Sequence, residues 1–480
     1  TIPSPRSNKI SCKAKAAPQR FCGAAFVKSG DFFIEWLSEL VRCKPCDEVK
    51  LMLTVAKFGG SSLSCAANWR RVKDIVTGDI ARRVIVVSAA GKRHADDHKI
   101  TDLLYLCHAH LRYGVPCWEL WRKIASRYLS IRDECAIDYP VEDDLDAIYE
   151  NLSPRTSADF LASRGEYLAA KLMAAYLGFS FVDAASWLQF DYAGNVLQEA
   201  SYATLQSLAD GRKIVTPGFY GVLPDGRVHT FSRGGSDVTG SLAAAALHAD
   251  VYENWTDVPG ILAADPKIVR NPAPIESLRY AELQLLSSAG TQVLHESAVA
   301  PVRERQIPLQ IRSTFASEHP GTRIGFEPGA SADGAGVIGF AGRRPVSMLR
   351  VLSPDAETSA LSAAVQDCLS AQHMQVFHMS GGAEGLCLLL CPAAEADTLH
   401  AAVEALRAAL PVARIKLREN LAVILALCRA SRAVPKLADA MERAGVPVHH
   451  LVQSPPSAMF CVNDSQYETA LRAAYAAAFG

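Results

Sequence analysis

Residues 231–237 (FSRGGSD) deliver a cation, two glycines, a hydroxyl and a carboxylate together, immediately before an Ala/Leu-rich helical run. The glycines let backbone N–H groups approach a ligand, and Ser236 or Asp237 is expected to cap the helix. Taken alone, this is an ordinary capped loop-to-helix turn. A second glycine turn, residues 57–62 (KFGGSS), lies far upstream, and two such turns in one α/β chain read as two halves of a phosphoryl-transfer site. Lys57 would place an ammonium over phosphate oxygens while Gly59 and Gly60 lend backbone amides. A third segment, residues 256–267 (TDVPGILAADPK), is a turn-rich loop at a strand end, where α/β sheets bind ligands, and Lys267 adds a cation. Moving a phosphoryl group demands positioning and charge neutralisation more than covalent help from the protein.

The elements that must hold these residues follow from periodicity. Residues 53–58 read as a strand, 62–77 as a helix and 84–88 as a buried strand, the opening of a parallel α/β sheet. Residues 103–177 are mostly helical in pattern, with a break at 151–154. Strands are expected at 179–182, 213–216 and 251–255, with a small-residue helix over 237–247. Residues 327–336 (EPGASADGAG) mark a linker, taken as 327–344. Two similar units follow. Strand 347–352, helix 358–371 and strands 374–377 and 385–390 make the first; strand 421–427, helix 433–443 and strands 448–451 and 458–462 make the second. Such repeats suit a regulatory module.

Composition excludes several classes. At 480 residues the chain fits two or three domains, and 49% apolar with 21% charged residues is ordinary for a globular protein. A formal net charge of -1 supplies no field for nucleic acid or anionic membrane, and no apolar run is long enough to span a bilayer. Thirteen scattered cysteines fit reduced thiols in a cytoplasm. Residues 1–51 read as an extension, disordered or non-native, before the catalytic part at 52–326. Their basic, acid-free start (Arg6, Lys9, Lys13, Lys15, Arg20, Lys28) is also compatible with an organelle transit segment. Cys43 and Cys46 have the spacing of half a zinc site but no second pair, and read as incidental.

The three motifs, in this order, resemble the signatures of aspartate kinase in the amino-acid kinase superfamily, and the C-terminal repeats resemble its paired ACT domains. The resemblance covers residue 52 to the end. It implies a three-layer αβα sandwich with a mainly parallel sheet, plus two ACT-like α+β units at 345–480. The implied reaction is ATP-dependent phosphorylation of the L-aspartate side-chain carboxylate to 4-phospho-L-aspartate, at the head of lysine, threonine, methionine and diaminopimelate synthesis. It implies Lys57, Asp237 and Lys267 as catalytic, and Lys57, Gly59, Gly60, Ser61, Thr256, Asp257, Leu262 and Lys267 around ATP. Thr101, Glu166, Phe219, Arg233, Ser236 and Asp237 would hold aspartate, with the Arg233 fork on a carboxylate and Glu166 on the α-ammonium. No resident metal is expected; Mg²⁺ would arrive on ATP. A homodimer or larger assembly, with an amino-acid effector at the ACT-like units, is also implied.

Other features weigh against these readings or drop out. Gln292 in residues 290–295 (GTQVLH) stands where the family often has lysine, and a neutral amide cannot replace a cation on phosphate. Residues 92–99 (KRHADDHK) contain His94, Asp96, Asp97 and His98 but read as a solvated loop rather than a metal site. Residues 334–339 (GAGVIG) match the dinucleotide fingerprint but follow a linker instead of a strand. His449 and His450 read as structural. The rival readings are another kinase of the superfamily and a non-catalytic amino-acid sensor on a degenerate kinase.

Overall fold

Strands β1 (Thr54–Phe58) and β2 (Arg82–Val87) are short apolar runs buried almost throughout, as strands covered on both faces must be. The structure is a computed structural model. It describes residues 52–480 except 233, 291–293, 328–335, 354–356, 383–384 and 393–395. Arg233, Gln292, Cys43, Cys46 and the extension over 1–51 therefore lie outside the described residues.

Between the first two strands, α1 (Ala66–Thr77) buries Trp69, Val72 and Val76 against Ile85 and Val87. The helical stretch then resolves into α2 (Ile100–Arg112), α3 (Trp118–Glu134), α4 (Val141–Glu150) and α5 (Ala158–Leu177). The hydroxyl of Ser157 accepts from Phe160 N–H to start α5, and Gly178, at φ 69°, ends it in the left-handed region where glycine costs least. Next come β3 (Ser180–Phe181), α6 (Gln198–Ala209), β4 (Ile214–Pro217) and a hairpin of β5 (Tyr220–Val222) and β6 (Val228–Thr230). The catalytic part closes with α7 (Gly235–Ala246), β7 (Val251–Thr256), β8 (Ser277–Arg279), α8 (Tyr280–Ser288), α9 (Glu296–Glu304), β9 (Leu309–Ser313) and β10 (Thr322–Gly325).

Eight of these strands form one sheet, ordered β3-β4-β2-β1-β7-β9-β10-β8 and parallel except at β9–β10. One face packs on Trp69, Leu104, Trp121 and Leu168, the other on Leu205, Leu242, Leu283 and Val302, which makes three αβα layers.

The remainder runs β11 (Val337–Leu352), α10 (Thr358–Ala371), β12 (Val376–Gly382), β13 (Gly385–Leu390), α11 (Ala396–Ala409), β14 (Arg414–Cys428), α12 (Ala433–Arg443), β15 (His450–Ser454), β16 (Ser457–Asn463) and α13 (Tyr467–Phe479). Its sheet is antiparallel, ordered β12-β13-β11-β14-β16-β15. The two α+β units are less separate than their sequence suggests. β11 and β14 pair from Val337↔Cys428 to Leu352↔Arg414, so each long strand serves both units. The strand expected to begin at Ser347 begins at Val337, inside the segment read as linker. Glycine there marks close approach instead of freedom. A Cβ at Gly342 would sit 1.8 Å from the Tyr467 hydroxyl, and one at Gly339 would sit 2.9 Å from Ile275 Cδ1. Val337 to Gly339, the tail of the dinucleotide-like string, are thus strand residues.

Candidate active site

Strand register sets the site. Phe58 lies level with Val87 and Trp255, and Val87 with Pro217, so β1, β2, β4 and β7 end side by side. The turns leaving those ends carry Gly59 to Ser61, Ala89 to Gly91, Phe219, and Thr256 with Asp257. Ligands bind at the carboxyl ends of strands in open α/β sheets because helix starts and loop amides converge there.

Lys57 projects from β1, and its Nζ lies 2.5 Å from Asp237 Oδ1 on α7. Asn254 Nδ2 on β7 donates to the same oxygen at 2.8 Å, and the Tyr252 hydroxyl donates to the Asp237 carbonyl at 3.0 Å. A buried ammonium is costly unless paired, and this carboxylate supplies the pair. Asn254 and Tyr252 were not foreseen. The available signal was the polar pair Glu253 and Asn254 inside a short buried strand.

α7 starts differently from expectation. Gly234 takes the N-cap position at φ 57° with no side-chain cap, while Ser236 and Asp237 lie inside the first turn. Asp237, three residues past the N-cap, is not the cap, and its carboxylate pairs with Lys57 instead. The segment after β4 presses on this start. A Cβ at Gly218 would meet Ser236 Cβ at 2.6 Å, and one at Gly235 would meet Phe219 Cδ2 at 2.7 Å. Phe219 itself sits at φ 81°, a conformation bulky residues rarely adopt and one that collects at functional sites.

The turn after β1 is also only partly as expected. Gly59 N–H donates to Trp255 O at 3.0 Å, which removes it from the phosphate cradle. The amides of Gly60 and Ser61 have no acceptor among the described residues and remain for an anion. Gly91 N–H donates to Gly60 O at 2.8 Å, and a Cβ at Gly91 would lie 2.6 Å from Gly60 C, so the turns after β1 and β2 interlock.

Glu166, on α5, is buried with Oε2 unpartnered. Burial pushes its carboxyl up to about 8, against the pull of the Ala89 backbone amide and the Arg164 charge. Beside it, a Cβ at Gly165 would contact Ala89 and Ile100, and Ile100 N–H donates to Ala90 O at 3.3 Å. That contact brings Thr101, in the first turn of α2, and Glu166 to the end of β2.

A cavity of about 520 Å³ is lined by Lys57, Asp237 and Asn254 together with Thr256, Asp257, Leu262 and Lys267. It joins residues expected at the phosphates to those expected around the nucleotide. Gly59, Gly60 and Ser61 adjoin Lys57 without lining it. The loop at 92–99 is exposed, in line with the solvated reading, except at Asp97. Asp97 pairs with Arg93 at 2.8 Å and with Arg127 at 2.6 Å and is held well below the usual carboxylate range, chiefly by the Arg93 hydrogen bond. Among the described residues no group of three or more His, Cys, Asp or Glu is placed to hold a metal, and no helix is long and apolar enough to cross a membrane. His449 Nε2 meets Asn463 Oδ1 at 2.9 Å.

A mainly parallel sheet thus carries two glycine turns at its carboxyl edge, joined by a lysine–aspartate pair. Residues 52–313 match the amino acid kinase family, and the chain belongs to it. Within that family it groups with the aspartokinases. It is 40% identical over 289 residues to aspartokinase 3 of Bacillus subtilis, covering 57% of this chain and 63% of that one. It is 31% identical over 301 residues to the chloroplastic aspartokinase 1 of Arabidopsis thaliana, covering 56% and 51%. The alignment thus spans less than two thirds of either relative. The crystal structure of Clostridium acetobutylicum aspartate kinase superimposes with a TM-score of 0.76 at 33% identity, over 89% of this chain and all of that chain. E. coli aspartokinase III, solved with aspartate and ADP, shares the fold at a TM-score of 0.67 and 24% identity, over 89% and 100%.

Proposed function

We propose that this protein transfers the γ-phosphoryl group of ATP to the side-chain carboxylate of L-aspartate, giving 4-phospho-L-aspartate and ADP. The observation that carries this reading is the single cavity that joins the Lys57–Asp237 pair to the 256–267 loop. The aspartokinase relatives support the choice of substrate. A carboxylate oxygen attacks the γ-phosphorus as the bond from that phosphorus to the bridging oxygen of ADP breaks. The carboxylate is ionised at neutral pH, so no general base is needed. Lys57 and Lys267 neutralise charge on the phosphoryl in flight, with the Gly60 and Ser61 amides beside them. Asp237 and Asn254 fix the Lys57 ammonium. Mg²⁺ comes bound to the nucleotide phosphates and offsets their charge.

For aspartate, Glu166 offers its unpartnered Oε2 to the α-ammonium and gives up its proton as the pair forms, and Thr101, Phe219 and Ser236 border the same strand ends. Arg233 belongs in this reading as the fork on a substrate carboxylate. An amino-acid effector at the C-terminal units, and a homodimer formed through them, complete the proposal. The deciding experiment is ADP release with Mg·ATP and L-aspartate, with the acyl phosphate trapped as a hydroxamate. L-glutamate, carbamate and UMP serve as competing acceptors. Release with another acceptor and none with aspartate would replace this reading, and no release with any would leave the sensor.

A further inference from the structure

The far wall of the cavity belongs to the C-terminal unit. Phe340, Ala341 and Gly342 of β11 and Tyr467 and Leu471 of α13 line the same space as Lys57 and Asp237. Phe340, Tyr467 and Leu471 form one apolar cluster with Ala264 and Val269 of the loop after β7, a cluster distinct from those around the sheet. The cavity therefore joins the bonded Lys57, Asp237 and Asn254 to the apolar side chains of Phe340, Tyr467 and Leu471, with Asp265 and Lys267 of the loop after β7 also on its lining.

The seating of this wall is specific. Phe340 N–H donates to Ala263 O at 2.7 Å, Arg472 Nε to Ile268 O at 2.9 Å, and Ala273 N–H to the Tyr475 hydroxyl at 2.8 Å. The Tyr467 hydroxyl lies where a Cβ on Gly342 would be. Deeper in, Arg429 forks onto buried Glu282 of α8 at 3.0 and 2.9 Å. A nucleoside triphosphate, with an anionic tail and a flat apolar base, can meet both the lysines and the apolar side chains of this lining.

We infer that Tyr467 and Leu471 are nucleotide-binding residues that form the base end of the ATP pocket, so the C-terminal unit completes the nucleotide site. This rests on the proposed function, which puts the phosphates at Lys57. Base–aromatic contact is worth about 1–3 kcal/mol in nucleic-acid sites, or roughly 5- to 150-fold in affinity.

The test measures Mg·ADP binding by calorimetry and steady-state kinetics for wild type, Tyr467→Ala, Tyr467→Phe and Leu471→Ala, each checked for its melting temperature. Tyr467→Ala should raise Kd for Mg·ADP and KM for ATP about tenfold, with kcat and KM for aspartate within about twofold. Tyr467→Phe should recover most of that loss. Leu471→Ala should shift the same two constants less, and it carries the test if Tyr467→Ala does not fold. Wild-type nucleotide constants in the folded variants overturn the inference. So does equal loss on both substrates with a lowered melting temperature, the mark of a merely structural role. Failure of wild type to bind Mg·ADP at all would instead overturn the proposed function.

Discussion

Lys57 on the first strand and Asp237 in the first turn of α7 meet at 2.5 Å, joining the two glycine turns through one ion pair. Asn254, from the strand beside β1, holds the same carboxylate oxygen and leaves the pair little freedom. The ammonium is thus aimed before any ligand arrives, which spares the cost of reorganising it during phosphoryl transfer. Lys57→Ala is expected to lower kcat by roughly 10²–10³-fold, the range seen when one preorganised donor is removed. Asp237→Asn should do the same more mildly, since the amide still accepts from Lys57. Initial-rate kinetics with a melting curve for each variant check this, and a Lys57→Ala enzyme with normal kcat removes the assigned role.

Glu166 gives a pH signature. Its folded value, about 8, stands above the ordinary 4.5, so the folded chain holds a proton that the unfolded chain has lost across that window. Its favourable contribution is complete below about 4.5 and fades as pH climbs through about 8. Glu166→Gln should therefore melt higher than wild type near pH 8, with the gap closing toward pH 4.5. If the substrate ammonium pairs with this carboxylate, aspartate binding at pH 7 releases up to one proton. Calorimetry in buffers of different ionisation enthalpy measures it, and the release disappears in Glu166→Gln.

The Arg429–Glu282 contact is expected to anchor the two halves of the chain. Burial opposes the Glu282 charge, yet hydrogen bonds from Arg429 and Arg279 keep it below the usual carboxylate range. Its stabilisation is present above the ordinary carboxylate value and is lost as pH falls through the lowered one. Arg429→Ala strands much of that charge and should cost about 3 kcal/mol, the low end for a broken buried pair because Arg279 remains. Chemical denaturation at pH 7 and at a series of lower pH values should show the deficit at pH 7 and its shrinkage as the pH falls through the lowered Glu282 value.

Gly91→Ala tests the interlock of the turns after β1 and β2. The added methyl would lie 2.6 Å from Gly60 C and O, which are backbone atoms that cannot swing aside. The Gly60 and Ser61 amides should move, raising KM for ATP several-fold and lowering the melting temperature. Neither change at Gly91→Ala would mean that the turn relaxes freely.

The sequence by itself determined the chemistry-bearing parts. The ordered motifs at 57–62, 231–237 and 256–267 specify the family, and alternating apolar strands and helices specify a mainly parallel sheet, because both signals are local in the chain. Tertiary structure decided what depends on distant partners. It turned Asp237 from a helix cap into the mate of Lys57, bonded Gly59 N–H to Trp255, and made Asp97 an ion-pair centre. It also drew Val337 to Arg344, which read as linker, into a strand shared by both C-terminal units. That segment misleads as sequence because its glycines look like freedom. In the fold they are the places where the Tyr467 ring and the loop after β7 come close enough to leave no room for a side chain.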